Sequence, residues 1–257
     1  MLPLKEKKFI ITGAATGMGA ATAVAYARAG AQVVAWYRNR TPDAAFDTLS
    51  GEERARIAFA RHDVADKADV DEGVAEAVRT MGGLDGLVNA AGIAPSSPAA
   101  AISLDAYEEV MAINVRGTIL TNQAVFPHLK ERGGRILNFA SATGVTGYPG
   151  KAHYATSKGA VLAWMRSIAR EWAPFRITVN AIAPAIWTPM YDKTRSEMTP
   201  EQLARHDAQM AVNVPLGGKL GDAEKDFAPM MVFLAGDGAG FLTGQTYCID
   251  GGILMLS

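Results

Sequence analysis

The chain alternates short apolar runs with longer stretches of helical period. Lys8-Phe-Ile-Ile-Thr12, Val33-Val-Ala35, Leu84-Asp-Gly-Leu-Val88, Arg135-Ile-Leu137 and Ile177-Thr-Val-Asn-Ala-Ile182 are dominated by apolar, often β-branched residues. Runs of that length, with little polar alternation, fit strands buried on both faces. Between them Ala20–Ala29, Val70–Met81, Asp105–Val125 and Gly159–Trp172 carry the spacing of helices. Strand and helix in alternation predict an α/β fold, a parallel sheet covered on both faces that binds ligands at the carboxyl ends of its strands. The pattern has no linker, internal repeat or low-complexity tract, so residues 1–257 are expected to form one domain.

Composition narrows the partners. Lys and Arg number 25 against 26 Asp and Glu, interspersed, for a formal charge of −1. Such a surface lacks the basic field that a nucleic acid requires. The apolar runs are too short to cross a bilayer, and Met1-Leu-Pro-Leu-Lys-Glu-Lys-Lys8 lacks the apolar centre of a secretory signal, so a cytoplasmic protein is expected. The single Cys248 agrees with a reducing compartment and reads as a small buried side chain in a strand. His62-Asp63 and His206-Asp207 are sequence neighbours, which in a strand point to opposite faces, and no metal site is expected from them.

Two motifs carry chemistry. Directly after the first apolar run comes Gly13-Ala-Ala-Thr-Gly17-Met-Gly19, then an Ala-rich helix closed by Gly30. Strand, glycine turn and helix in that order suit a phosphate: the turn lets backbone approach closely, and the helix start offers free N–H groups and positive dipole. The second motif is Tyr154-Ala-Thr-Ser-Lys158, with Ser141 upstream at the end of Arg135-Ile-Leu-Asn-Phe-Ala-Ser141. Four residues apart on a helix, phenol and ammonium share a face, and a nearby positive charge favours the phenolate. The pair reads as a tuned proton donor and acceptor. His153, a quarter turn away, is expected at the surface or lining a substrate pocket.

Taken in order, the glycine turn Thr12–Gly19, Asp63-Val64, Asn89-Ala-Ala-Gly92, Asn114-Val-Arg-Gly117, Ser141, Tyr154 with Lys158, and Gly244-Gln-Thr-Tyr-Cys-Ile-Asp-Gly-Gly252 resemble the short-chain dehydrogenase/reductase family over nearly the whole chain. The resemblance implies a single-domain, Rossmann-like doubly wound sheet of about seven strands. It also implies hydride transfer between a nicotinamide cofactor and a carbonyl or secondary alcohol, with Asn114, Ser141, Tyr154 and Lys158 as a catalytic tetrad. Tyr154 would exchange the proton, Ser141 would bind the substrate oxygen, Lys158 would also hold the nicotinamide ribose, and Asn114 would position a water leading from Lys158 to solvent. Gly13, Thr16, Gly17, Met18 and Gly19 would cradle the diphosphate. Asp63 and Val64 would border the adenine, and Asn89, Ala90 and Gly92 would flank the adenosine. Pro184, Ile186 and Thr188 would face the nicotinamide end. Here the chain departs from the family pattern, with Ala185 in place of Gly and one residue fewer before Thr188.

Cofactor choice turns on Tyr37 and Arg38. Tyr37 stands where NAD-using relatives carry an acidic residue, and Arg38 follows at a basic position of NADP-using relatives, with Arg40 nearby. NADP is therefore expected over NAD, although Thr16 is not the second basic residue that many NADP enzymes have. Residues at about 187–219, with Trp187, Met190, Tyr191, Met198, Leu203, Met210, Val212, Val214 and Leu216, correspond to the substrate lid. Its apolar content predicts a largely apolar pocket for a ketone or alcohol, while Lys151 and Lys193 leave room for an anionic substrate. A sugar or polyol dehydrogenase using NAD(H) is the second enzymatic reading, and a non-catalytic dinucleotide sensor or scaffold is the third. Relatives commonly form homotetramers through the equivalents of Asp105–Lys130, Tyr154–Trp172 and the C-terminal strand.

Overall fold

A computed structural model describes residues 2–40 and 42–255. The side chain of Met190 and the last two residues of the apolar tail Gly252–Ser257 lie outside the described part. Seven parallel strands form one sheet: β1 (Lys8–Thr12), β2 (Gln32–Tyr37), β3 (Ile57–Arg61), β4 (Gly86–Asn89), β5 (Gly134–Phe139), β6 (Ile177–Pro184) and β7 (Thr246–Ile249), in the order β3-β2-β1-β4-β5-β6-β7. The helices are α1 (Gly17–Arg28), α2 (Gly51–Arg54), α3 (Lys67–Met81), α4 (Leu104–Met111), α5 (Gly117–Leu129), α6 (Thr143–Thr146), α7 (Ala152–Trp172), α8 (Pro189–Ser196), α9 (Pro200–Asn213) and α10 (Ala228–Ala235).

The strand periodicity of two divides the apolar side chains between two cores. Phe9, Ile11, Val33, Ala35, Val88 and Leu137 point to one face and pack with α1 and α10 through residues such as Tyr26, Met231 and Leu234. Ile10, Val34, Trp36, Leu87, Ile136 and Val179 point to the other and meet α3, α5 and α7 through Val70, Val74, Leu129, Met165 and Ile168. A sheet sandwiched in this way has no solvated face. That explains why its strands read as continuous apolar runs rather than alternating ones.

Strand order reverses between β1 and β4, whose ends are in register at Thr12 and Asn89. A crevice at the carboxyl ends of these strands follows from that reversal. Beneath it, a chain of buried amides ties the strands to α5 and α7. Asn89 donates to Asn138 Oδ1 at 2.9 Å and accepts from Thr121 at 2.8 Å; Asn138 and Asn122 exchange bonds at 3.1 Å; and Trp164 donates to Asn122 at 3.1 Å. Asn89 thereby braces β4 against β5 and α5.

Three expectations need correction. The helix expected over Asp105–Val125 is interrupted by a π turn at Ala112–Arg116, which separates α4 from α5 and carries Asn114. Insertions of this kind add a residue to the turn and redirect the side chains on it. His153 is neither at the surface nor a pocket wall: it is 2 % exposed, on the face of α7 that also buries Ser157 and Val161. Cys248 is half-buried, since β7 closes the sheet as an edge strand. The residues after Trp187 form two helices, α8 and α9, each begun by Thr-Pro, with Thr188 and Thr199 as caps.

Candidate active site

The glycine turn lies where β1 passes into α1. Gly13 has φ +63°, and a Cβ there would meet the Ala91 backbone at 2.7 Å; a Cβ on Gly19 would lie 2.3 Å from the Gly13 carbonyl oxygen. Glycine is required at both for the strands and helix to close up. Thr16 stands at the N-cap of α1 with its side chain making no cap bond, and the first turn holds no acidic residue. The Gly17 N–H donates to the Asp43 carboxylate at 3.3 Å, an anion from this chain at the positive helix end.

A cavity of about 470 Å³ opens from this turn. Of the residues expected to bind cofactor, Gly13, Thr16, Gly17, Met18, Gly19, Tyr37, Arg38, Asp63, Val64, Ala90, Gly92 and Thr188 form its walls. Asn89, Pro184, Ile186, Tyr154 and Lys158 do not. Asn89 lies below in the amide chain. Ile186 forms a bridge with Gly221 in which the flanking Ala185 carbonyl and Trp187 N–H make the bonds, so its own N–H and carbonyl are turned away from that partner. Thr188 lies across from the glycine turn, within 4.0 Å of a Cβ built on Gly17, and its hydroxyl accepts from the Tyr191 N–H.

At the far end of the cavity Arg38 and Asp63 form an ion pair at 3.5 Å. Asp63 is held in turn: its N–H donates to Asp69 at 2.6 Å, and its carboxylate accepts from the Ala65 N–H at 2.9 Å. The other Asp69 oxygen is 2.6 Å from His62 Nδ1, and the His62 ring packs on Trp36 with centroids 4.7 Å apart. Burial pushes the Asp69 carboxyl up, but the Asp63 N–H and His62 outweigh it and hold it below the usual range. Trp36, His62, Ile93, Ala94, Ile113 and Phe139 are wall residues that sequence reasoning missed. The signal for Trp36 was available, since it sits one residue before Tyr37 at the end of an apolar strand.

Ser141, Tyr154, Lys158 and Asn114 come together beside this cavity. Ser141 follows β5 by two residues and Tyr154 is the third residue of α7. Burial raises the Tyr154 phenol above its usual value, and the neighbouring Ser141 side chain partly opposes the rise. The Lys158 ammonium lies 5.8 Å from the centre of the Tyr154 ring and donates to the Phe139 carbonyl at 2.7 Å. Burial brings its pKa down to about 8. In the free protein, therefore, the ammonium does not acidify the phenol as the spacing alone suggests. Lys158 is turned to the strand, and desolvation governs both groups.

Asn114 is fully buried. Its amide accepts from the Ile93 N–H at 2.9 Å and donates to the Ile93 carbonyl at 2.9 Å and to Ser157 Oγ at 3.0 Å. Ser157 donates to the Tyr154 carbonyl at 2.7 Å. The amide thereby links the loop after β4 to the first turn of α7. Gly92 marks the junction of cavity and tetrad: a Cβ built there lies 3.1 Å from Asn114 Oδ1 and 3.6 Å from Lys158 Nζ. Among the described residues no group of three His, Cys, Asp or Glu side chains is placed to hold a metal ion, and no helix is long and apolar enough to cross a membrane.

A switch-point cavity walled by a glycine turn, with a serine, a phenol and a buried ammonium beside it at Gly92, is the arrangement of a nicotinamide-dependent oxidoreductase. Comparison with known proteins agrees: a family model described as enoyl-(acyl carrier protein) reductase matches residues 13–254. The chain belongs to the short-chain dehydrogenase/reductase family, and it is an NAD(P)-dependent enzyme acting on CH–OH or C=O groups. It is 34 % identical over 257 residues to a 3-oxoacyl-acyl-carrier-protein reductase of Thermotoga maritima, covering 98 % of this chain and 99 % of that one. A glucose 1-dehydrogenase of Gluconobacter oxydans is 36 % identical over 255 residues, with 97 % and 92 % covered. The crystal structure of Cj0485 dehydrogenase superposes with a TM-score of 0.91 at 29 % identity, covering 100 % of this chain and 97 % of that one.

Proposed function

We propose that the protein interconverts a ketone and a secondary alcohol with NADP(H), using Ser141, Tyr154 and Lys158 at the reacting carbonyl. The observation that carries this reading is the placement of neighbouring Ser141 and Tyr154 and the buried Lys158 beside the glycine-turn cavity, joined to it at Gly92. The site fits a dinucleotide by its own geometry: a Cβ at Gly13 or Gly19 would collide with backbone, and Thr16 at the N-cap of α1 makes no cap bond, the Gly17 N–H alone being met by Asp43. Gly13–Gly19 would hold its diphosphate, Asp63 and Val64 the adenine, and Pro184, Ile186 and Thr188 the carboxamide end. When bound there, the nicotinamide supplies or accepts the hydride.

The protein residues handle the oxygen and the proton. Ser141 donates to the substrate oxygen and stabilises charge as it develops. Tyr154, its proton retained by burial, is the acid in reduction and, as phenolate, the base in oxidation. Lys158, once drawn from the Phe139 carbonyl toward the ribose and phenol, stabilises the phenolate. Asn114 fixes the Ile93 peptide and the first turn of α7, which sets where the phenol stands. Tyr154→Phe should abolish turnover, measured as absorbance change at the nicotinamide band across ketones, alcohols and sugars, while cofactor binding survives. An active Phe variant would refute the assignment.

Arg38 supports NADP, since the strand end carries no carboxylate against a 2′-phosphate and the guanidinium can bind one bidentately. Its existing partner, Asp63, is an exposed one of low worth. NAD(H)-linked sugar or polyol oxidation is the second reading, favoured by the glucose 1-dehydrogenase relative. Affinities for both cofactors, with a sugar panel, separate the two. The reading includes α8 and α9 as a substrate lid and a cytoplasmic homotetramer. Assembly is supported by an open groove of about 690 Å³ on α4 and α5 lined by Tyr107, Met111, Val115 and Ile119, and by fully exposed Phe241.

A further inference from the structure

One half-buried cation beside the reacting phenol faces no carboxylate. Lys151 immediately precedes α7, three residues before Tyr154, and its ammonium donates to the Ala94 carbonyl at 2.5 Å. Ala94 is itself a wall of the dinucleotide cavity, and the loop that carries it is fastened to the segment before Lys151 by the Ser97 N–H on the Gly150 carbonyl at 2.9 Å. Several other partly shielded cations pair with carboxylates, Lys7 with Asp237, Arg28 with Glu224, Arg56 with Glu52 and Arg195 with Asp207, whereas Lys151, like Lys8 and Lys158, donates to a backbone carbonyl. Among the described residues Lys151 has no such partner. Desolvation lowers its pKa, with no negative charge acting against it. A partly buried cation is costly without an anion, and an anionic ligand would relieve that cost.

A second feature of the same turn points the same way. The start of α7, a helix of 21 residues, has no side-chain cap, so its first N–H groups and its dipole are available to a negative charge. Within the described lid, by contrast, Arg195 is already engaged by Asp207 and by the rings of Trp187 and Tyr191.

We propose that Lys151 and the uncapped first turn of α7 form a subsite for an acidic group on the substrate, so that the enzyme acts on a carbonyl or hydroxy compound bearing a carboxylate or phosphate. This rests on the oxidoreductase reading above and adds a substrate class to it. Lys151 is the N-cap of α7 and stands three positions before Tyr154, so an acidic group held there belongs to the same small substrate as the reacting carbon.

Matched pairs test the proposal: 4-oxopentanoate against 2-pentanone, and dihydroxyacetone phosphate against dihydroxyacetone, each with NADPH and NADH. The acidic member of at least one pair should be preferred at least tenfold in kcat/KM, and the pair preferred separates carboxylate from phosphate. Lys151→Met should lower kcat/KM for that member, chiefly through KM, by about 10–100-fold more than for its neutral partner, the worth of one charge-assisted hydrogen bond. Lys151→Arg should restore the preference. Equal losses on both members would show that Lys151 is only a strut between loop and helix, and would overturn the proposal. A second readout is binding of non-reducible pentanoate and pentanamide to the protein saturated with NADPH. Pentanoate affinity unchanged by Lys151→Met would also overturn it. Absence of turnover by the wild-type protein with every compound would fail the oxidoreductase reading, while the binding arm still decides the subsite.

Discussion

Replacing Asn114 by alanine should destabilise the protein even before catalysis is considered. The fully buried amide makes three hydrogen bonds of 2.9–3.0 Å, two of them to the backbone of one residue, accepting from the Ile93 N–H and donating to the Ile93 carbonyl. Alanine leaves that N–H and that carbonyl without partners, and each buried group so orphaned costs about 1–3 kcal/mol. Ile93 is half-buried at the cavity wall, so water reaches part of the peptide and the lower half of the range applies. The expected loss is about 2–4 kcal/mol. Ser157→Ala removes only one of the three bonds and should cost about 1 kcal/mol. The double variant should fall short of the sum by about 0.5–1.5 kcal/mol, because the shared bond is counted twice. Urea unfolding followed by tryptophan fluorescence, without cofactor, reads these values from midpoints at constant slope. An Asn114→Ala protein within about 0.5 kcal/mol of wild type, or a strictly additive cycle, would refute the linkage drawn here.

Other consequences follow from single contacts. Arg38→Ala should weaken NADP(H) by about 10–100-fold and leave NAD(H) affinity nearly unchanged, read by titration of cofactor fluorescence; equal effects on both would remove the basis for NADP preference. Gly19→Ala places a Cβ 2.3 Å from the Gly13 carbonyl oxygen and should weaken both cofactors together, while a variant of unchanged affinity would show that the turn yields. Lys158 has a pKa near 10.4 in the unfolded chain and about 8 in the fold. Between those values the unfolded state binds more protons, so stability rises with pH through this window. Lys158→Met removes the term. Its stability relative to wild type should therefore decline by on the order of 1–3 kcal/mol from pH 7 to pH 10. A pH-independent difference would contradict the depressed value. Above pH 10 the buried phenols of Tyr26 and Tyr154, both raised by desolvation, act in the opposite sense.

The strands and the glycine turn were legible in the sequence because a doubly covered sheet forces apolar runs and a tight turn forces glycine. Tyr154, Lys158 and Ser141 were legible from spacing and resemblance. What spacing could not give was the direction of the electrostatics. Lys158 sits four residues from Tyr154, yet its ammonium is turned to a carbonyl of β5, a contact across 19 residues. His153 was misplaced for a similar reason: a quarter turn from the phenol leads toward the helices of the lower core, not to solvent, and only packing reveals it. The π turn around Asn114 had no local signal, since Ala112–Arg116 reads as ordinary helix. Asp69, which orders both His62 and Asp63, looked like one acidic residue of a solvated helix start.

Helix α1, which follows the glycine turn, is among the first elements in the chain, but its buried face is completed by α10. Tyr26 donates to the Met231 carbonyl at 3.1 Å across 205 residues. During synthesis that face stays uncovered until nearly nine-tenths of the chain has been made, so the earliest helix to emerge is among the last to be secured. The growing polypeptide thus exposes Tyr26 and its neighbours for most of its time on the ribosome, and competence to hold a dinucleotide arrives late and all at once.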